Sequence, residues 1–184
     1  MDEGLNVDRL VDALLDRVAG YDAAGCGGPA CFGISEAVAR AHGYAGAMRR
    51  LPRDEAARIY TRLYWLRPRF DAVAERSPRI AAELFDTGAS LGPAVAATFL
   101  QRVLTALNRN GKDYCDLVPD GRIGERTLAA LDAFLERRGR ASGESALLHA
   151  LEAVQGERFV RLAERRPPNE ALLYGWLANR VGSP

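Results

Sequence analysis

Apolar residues return every third or fourth position along most of this chain, the period of one face of an α-helix. Val7, Leu10, Val11, Leu14, Leu15 and Val18 form the first stripe, with Asn6 placed to cap it and Gly20 to end it. Positions 35–43 read as a short helix between a serine cap and a glycine stop. Over 51–66 the stripe is Ala56, Ile59, Tyr60, Leu63 and Tyr64, and Pro68 stops it. Ser77-Pro78 is a cap followed by an N1 proline, opening a helix that should bury Ile80, Ala81, Leu84 and Phe85. Gly92-Pro93 opens the next, with Val95, Phe99, Val103 and Leu107 inward. After a polar loop around Asp120-Gly121, Leu128, Leu131 and Leu135 mark a helix ending near Gly139. Two more follow, 144–166 through Leu147, Leu148, Leu151, Phe159 and Leu162, and 169–181 through Leu172, Leu173, Trp176 and Leu177. No period of two persists, so the expectation is an all-α fold of about eight helices, with at most a short hairpin in the loop of the 20s.

With 184 residues, the chain fits one compact domain or a domain with a small appended lobe. The loop over 108–123 is the plausible seam. Basic and acidic residues number 25 and 24 and are interspersed, leaving a net charge of +1 and no one-sign field to recruit nucleic acid or anionic lipid. The pairs Arg49-Arg50, Arg137-Arg138 and Arg165-Arg166 lie near helix ends, where they complement the dipole. No cationic start leads into an apolar run, and no stretch is apolar enough to span a bilayer, so the reading is cytoplasmic synthesis without a signal peptide and without membrane insertion. Cys26 and Cys31 could close a small ring in an oxidising compartment, although that reading favours reduced thiols; Cys115 reads as a small buried or loop residue. His42 and His149 lack ligand spacing to the cysteines, so neither a metal nor another cofactor is expected.

Six segments fall in a recognisable order: Gly33-Ile34-Ser35 after a glycine-rich loop, Ile59-Tyr60-Thr61-Arg62-Leu63-Tyr64-Trp65, Leu84-Phe85-Asp86, Gly92 through Phe99-Leu100-Gln101, Asp120-Gly121-Arg122-Ile123-Gly124-Glu125-Arg126-Thr127, and Tyr174-Gly175-Trp176-Leu177-Ala178-Asn179-Arg180. Together they resemble glycoside hydrolase family 108, a lysozyme-like family in which a muramidase half is joined to a small helical peptidoglycan-binding lobe. The resemblance covers nearly the whole chain and implies a muramidase-like half over 1–92 and a peptidoglycan-binding-like half over 93–184, packed as one compact unit. It also implies action on the glycan strand of peptidoglycan, hence in the periplasm or at the cell wall. Given cytoplasmic synthesis, export or release by a secretion or phage machinery, as for an endolysin, would be required.

The family's catalytic acid is a glutamate in a Glu-Gly-Gly-Tyr motif at the end of the first helix. Here Tyr21 and Gly20 match, Ala19 replaces the first glycine, and Val18 occupies the position of the glutamate. Valine has no proton to deliver to a glycosidic oxygen. A family hydroxyl is replaced by Ala30, and the asparagine that follows the retained Asp86 corresponds to Ser90. Asp22 is the one neighbour placed to substitute, from a mobile loop; Asp16 lies on another face and Glu36 opens the next helix. The expected role is therefore glycan binding by a pseudoenzyme, with Tyr21, Phe32, Trp65, Asp86 and Ser90 as candidate glycan contacts. The alternatives are a muramidase with a relocated acid and a protein-docking adaptor on an inactive lysozyme fold. Tyr60 and Tyr64 share a helical face and read as core, as does Trp176.

Overall fold

The computed structural model describes residues 5–18, 20–23 and 28–180, and by packing the chain divides into two compact units, Met1–Arg67 and Pro68–Pro184. Both are dominated by helices, as the apolar period predicts.

In the first unit, α1 (Val7–Arg17) starts where Asn6 accepts from the Arg9 N–H at 3.1 Å, and it buries Val11, Leu14 and Leu15. The helix ends one residue short of the expected stripe, so Val18 is its C-cap, half-buried, with its N–H bonded to Leu14 O. Three two-residue strands follow, β1 (Tyr21–Asp22), β2 (Ala30–Cys31) and β3 (Ile34–Ser35), antiparallel in that order. Tyr21 lies opposite Cys31 and Ala30 opposite Ser35. The sheet exceeds the single hairpin anticipated because strands this short show no alternation. Burial pushes the Cys31 thiol up, against the lowering effect of the Phe32 backbone, while Cys26 lies outside the described residues. Ser35 caps α2 (Glu36–Ala41) as expected.

The helix expected over 51–66 is α3 (Arg53–Tyr60) continuing into a π-helical stretch, Thr61–Leu66. A π turn brings position i+5 round beneath position i, so Trp65 turns toward the side of Tyr60. It is buried, at 5% exposure.

The second unit begins with α4 (Phe70–Ala74), a ninth α-helix among the described residues and one the periodicity did not reveal; five residues with buried Phe70 and Val73 are too few to establish a period. Next come α5 (Pro78–Leu91), α6 (Pro93–Ala106), α7 (Glu125–Arg138), α8 (Arg140–Arg165) and α9 (Glu170–Arg180). Ser77 caps α5 through Ile80 N at 3.1 Å, with Pro78 in the first turn. The stripe expected on α6 needs correction: Val95 and Leu107 are half-buried, while Ala96, Ala97, Leu100 and Leu104 join Phe99 and Val103 inside. With α5, α7 and α8 all packed against it, α6 is buried over more than one face. The last helix also departs from expectation. Leu172 is 51% exposed, and Trp176 is half-buried with its ring 5.4 Å from that of Phe159. Val181 lies outside the described residues, and Cys115 is exposed.

The loop before α7 is held by Gln101, itself 2% exposed. Its Nε2 donates to Asp120 Oδ1 (2.8 Å), Arg122 O (2.9 Å) and Thr127 Oγ1 (3.2 Å), and its Oε1 accepts from Gly121 N (3.0 Å). The Gln101 amide and the Arg122 N–H hold the Asp120 carboxyl below the usual range. Gly121 has φ +75°, and a Cβ there would stand 2.9 Å from Ala94 O. The Asp-Gly-x-x-Gly-x-x-Thr element is thus a tied turn leading into a helix. Among the described residues no helix is long and apolar enough to cross a membrane.

Candidate functional site

The C-cap of α1 meets the turn between β2 and β3 at one corner of the first unit. Phe32 and Gly33 form that two-residue turn with φ +51° and +69°, the paired positive angles of a type I′ hairpin. For phenylalanine this conformation costs about 1 kcal/mol or more. It is held by the Phe32 N–H donating to Gly20 O at 3.0 Å and by the Tyr60 hydroxyl donating to Phe32 O at 2.9 Å. A Cβ added at Gly33 would lie 3.1 Å from Tyr60 Oη and 3.7 Å from Val18 Cβ, so Val18, Gly33 and Tyr60 close on the same small space. Burial, then Tyr64, pushes the Tyr60 phenol up to about 12, and the two rings lie 5.2 Å apart. Gly33→Ala combines a strained φ with this crowding and is expected to lower stability by about 1–3 kcal/mol, read as a drop in urea midpoint. An unchanged midpoint would show that the corner is slack.

Val18, the position that the resemblance sets for the acid, is a half-buried hydrocarbon side chain at the C-cap of α1. The neighbouring carboxylates are otherwise placed. Asp16 pairs with Arg53 at 2.8 Å, and Glu36 with Arg40 at 2.7 Å. Asp22, expected on a mobile loop, is instead in β1 opposite Ala30. Tyr21 is 43% exposed on the same strand, and Phe32 is half-buried at the turn. An open groove of about 910 Å³ elsewhere on this unit, lined by residues including His42, Arg58, Arg62 and Leu66, contains none of the expected site residues.

In the second unit, Asp86 and Ser90 are half-buried on α5, one turn apart. The Ser90 hydroxyl is turned back onto the helix, against Asp86 O at 3.0 Å and Thr87 O at 3.1 Å. Sequence reasoning missed Glu83, one turn earlier on the same strip; the acid pair at i, i+3 was the available signal. Its carboxylate accepts from the Thr87 hydroxyl at 3.2 Å. Burial pushes Glu83 up to about 7, with Thr87 opposing and Asp86 and Glu152 adding to the rise. The folded chain therefore holds this proton to about pH 7, whereas an ordinary glutamate loses it near 4.5. Stability should fall as pH rises through that window, because the folded state binds more protons there than the unfolded one. Glu83→Gln is expected to remove the fall and to be more stable than wild type at pH 8 by roughly 1–2 kcal/mol, the shift being discounted for partial exposure. Urea midpoints at pH 5 and 8 measure this, and equal pH dependence in the two proteins would refute it. Among the described residues no cluster of His, Cys, Asp and Glu could hold a metal ion.

Residues 12–92 match the model of the glycosyl hydrolase 108 family, and residues 95–181 match that of a predicted peptidoglycan domain. The chain joins a glycosyl hydrolase 108 domain to a peptidoglycan domain. A comparison with curated proteins finds no match. Both family matches direct the chain to peptidoglycan. The hydrolase match includes Val18, the turn at Phe32-Gly33, Tyr60 and the α5 strip, while the peptidoglycan domain includes the loop tied by Gln101.

Proposed function

We propose that this chain binds the glycan strands of peptidoglycan without cleaving them. One observation carries this reading: Val18, at the acid position the resemblance implies, presents only methyl groups beside Gly33 and Tyr60. Positioned general acid catalysis contributes roughly 10²–10⁴ in rate, and a hydrocarbon side chain supplies none of it. The retained framework supports binding. On the first unit Tyr21 offers an exposed ring and Phe32 is held in a strained turn; on the second, Asp86 and Ser90 offer polar groups on one strip. Trp65, also proposed as a glycan contact, is buried in the π turn at 5% exposure. The functional division we propose is 1–92 and 93–184, although the packing units part after Arg67. The site of action in this reading is the periplasm or cell wall, reached through a secretion or phage machinery.

A second reading, hydrolysis by a relocated acid, draws on Glu83, which keeps a proton near neutral pH on the strip of Asp86. Asp22 is the weaker candidate, being exposed in β1. Pelleting with isolated sacculi tests the binding reading. Wild type should be retained, and Tyr21→Ala should weaken retention by about 2- to 10-fold if its ring stacks on sugar. Protein that stays in the supernatant and releases no fragments would leave the docking adaptor as the remaining reading.

A further inference from the structure

The first unit carries a charged groove that takes no part in the corner at Val18. One face of α3 and of the π-helical stretch lines it: Asp54, Ala57, Arg58, Thr61, Arg62 and Leu66 succeed one another at three- and four-residue steps, the spacing of one side of a helix. This cavity of about 910 Å³ runs on into a second of about 530 Å³, since Asp8, Asp54 and Ala57 line both. The charges are sorted by end. Asp8, in the first turn of α1, and Asp54, in the first turn of α3, stand where the two cavities join, and Arg62 and Arg67 line only the larger one. The eight positions from Asp54 to Arg62 correspond to roughly 12 Å along a helix. All four side chains are exposed, and among the described residues none of them is in an ion pair. Their neighbours are paired, Arg58 with Glu55 and Arg53 with Asp12 and Asp16. Between the two ends the wall is apolar, with Ala57 and a Leu66 that is 51% exposed. Leu66 belongs to the π-helical stretch, a rare geometry that concentrates at functional sites.

We propose that this groove binds the peptide stem of peptidoglycan, with the stem's carboxylates against Arg62 and Arg67 and the ammonium of its diamino residue toward Asp8 and Asp54. The N-acetylated sugars of the glycan are neutral, so unpaired charges of both signs match the part of the polymer that carries both. Guanidinium is suited to carboxylate, and the sorted ends fix the direction in which the peptide lies, because the reverse direction sets like charges together. The length also agrees. An extended peptide advances about 3.3–3.6 Å per residue, so a stem of three to four residues spans the distance between the ends. Its alanine methyl groups would cover Ala57 and Leu66. The inference goes beyond the glycan-binding reading, to a different part of the same polymer and a different face of the first unit.

Titration of the ¹⁵N-labelled chain with the synthetic stem peptide L-Ala-γ-D-Glu-L-Lys-D-Ala, followed by NMR, tests it. Amide shifts should cluster around Asp54, Arg62, Leu66 and Arg67. Replacing both arginines, Arg62→Ala with Arg67→Ala, should weaken binding by about 3- to 10-fold, the loss of two exposed charge pairs. Amidating the peptide's carboxylates should weaken it comparably in wild type and change little in the double variant, with melting curves confirming that the variant is folded. A stem peptide that does not bind, that binds the double variant as tightly as wild type, or that shifts residues outside the groove overturns the proposal. Pelleting with glycan strands stripped of their peptides separates it from the glycan reading. Strands retained without peptide binding leave the glycan reading standing and the groove proposal overturned, and peptide binding without retention of stripped strands does the reverse.

Discussion

Val18→Glu is expected to raise the release of reducing ends from sacculi by roughly 10²–10⁴ over wild type, the range a positioned general acid supplies. The substitution extends a carboxyl from the C-cap of α1 into the corner where Gly33 and Tyr60 meet. That corner suits an acid. The Tyr60 proton is committed to Phe32 O, so the phenol oxygen can accept from a protonated carboxyl but has no proton to offer a carboxylate. Partial burial acts in the same direction, and both raise the carboxyl pKa toward the working range of a glycosidase acid. The control is Val18→Gln, which has the same reach without the proton and should remain inactive. If Val18→Glu gains nothing while staying folded, the substitutions at Ala30 and Ser90 have also disabled the site, and restoring threonine and asparagine there becomes the next requirement.

The largest loss of stability is expected from Gln101→Leu, about 2–5 kcal/mol. Leucine fits the volume but removes the partner of four groups at once: the Asp120 carboxylate, Arg122 O, Thr127 Oγ1 and Gly121 N. Thr127, 3% exposed, would be left with the desolvation cost of a buried unpaired group, and the loop would lose the bonds that tie Asp120, Gly121 and Arg122 to α6. As a glycine, Gly121 has no side chain to hold the turn once its bond to Gln101 is lost. Chemical denaturation should show a lower midpoint, and hydrogen exchange should show lost protection around Gly121 and the start of α7. A variant within about 0.5 kcal/mol of wild type would mean that the loop is not held by this side chain.

What the sequence made legible was local chemistry. Asn6, Ser35 and Ser77-Pro78 open helices because a capping side chain or an N1 proline acts within three residues of itself. The proposal that Val18 stands at the acid position is a reading of the same kind, a residue type set against a motif. What escaped was either too short or too distant. Strands of two residues and α4 with five contain too few positions for a period to repeat. The π turn that carries Trp65 inward has no compositional mark, so Trp65 read as less constrained than its 5% exposure shows. The Tyr60–Phe32 bond joins positions 28 apart and the Thr87–Gln155 bond positions 68 apart, and no local pattern announces either. Glu83 belongs to that second network, which is why its unusual proton affinity emerged only from the packed helices.

Incubating wild-type protein with purified sacculi, then assaying reducing ends in the supernatant and protein in the pellet, tests the central claim most directly. A site whose acid position holds a hydrocarbon predicts protein in the pellet and no release above a buffer blank. Reducing ends appearing at a rate that Val18→Glu does not increase would contradict it.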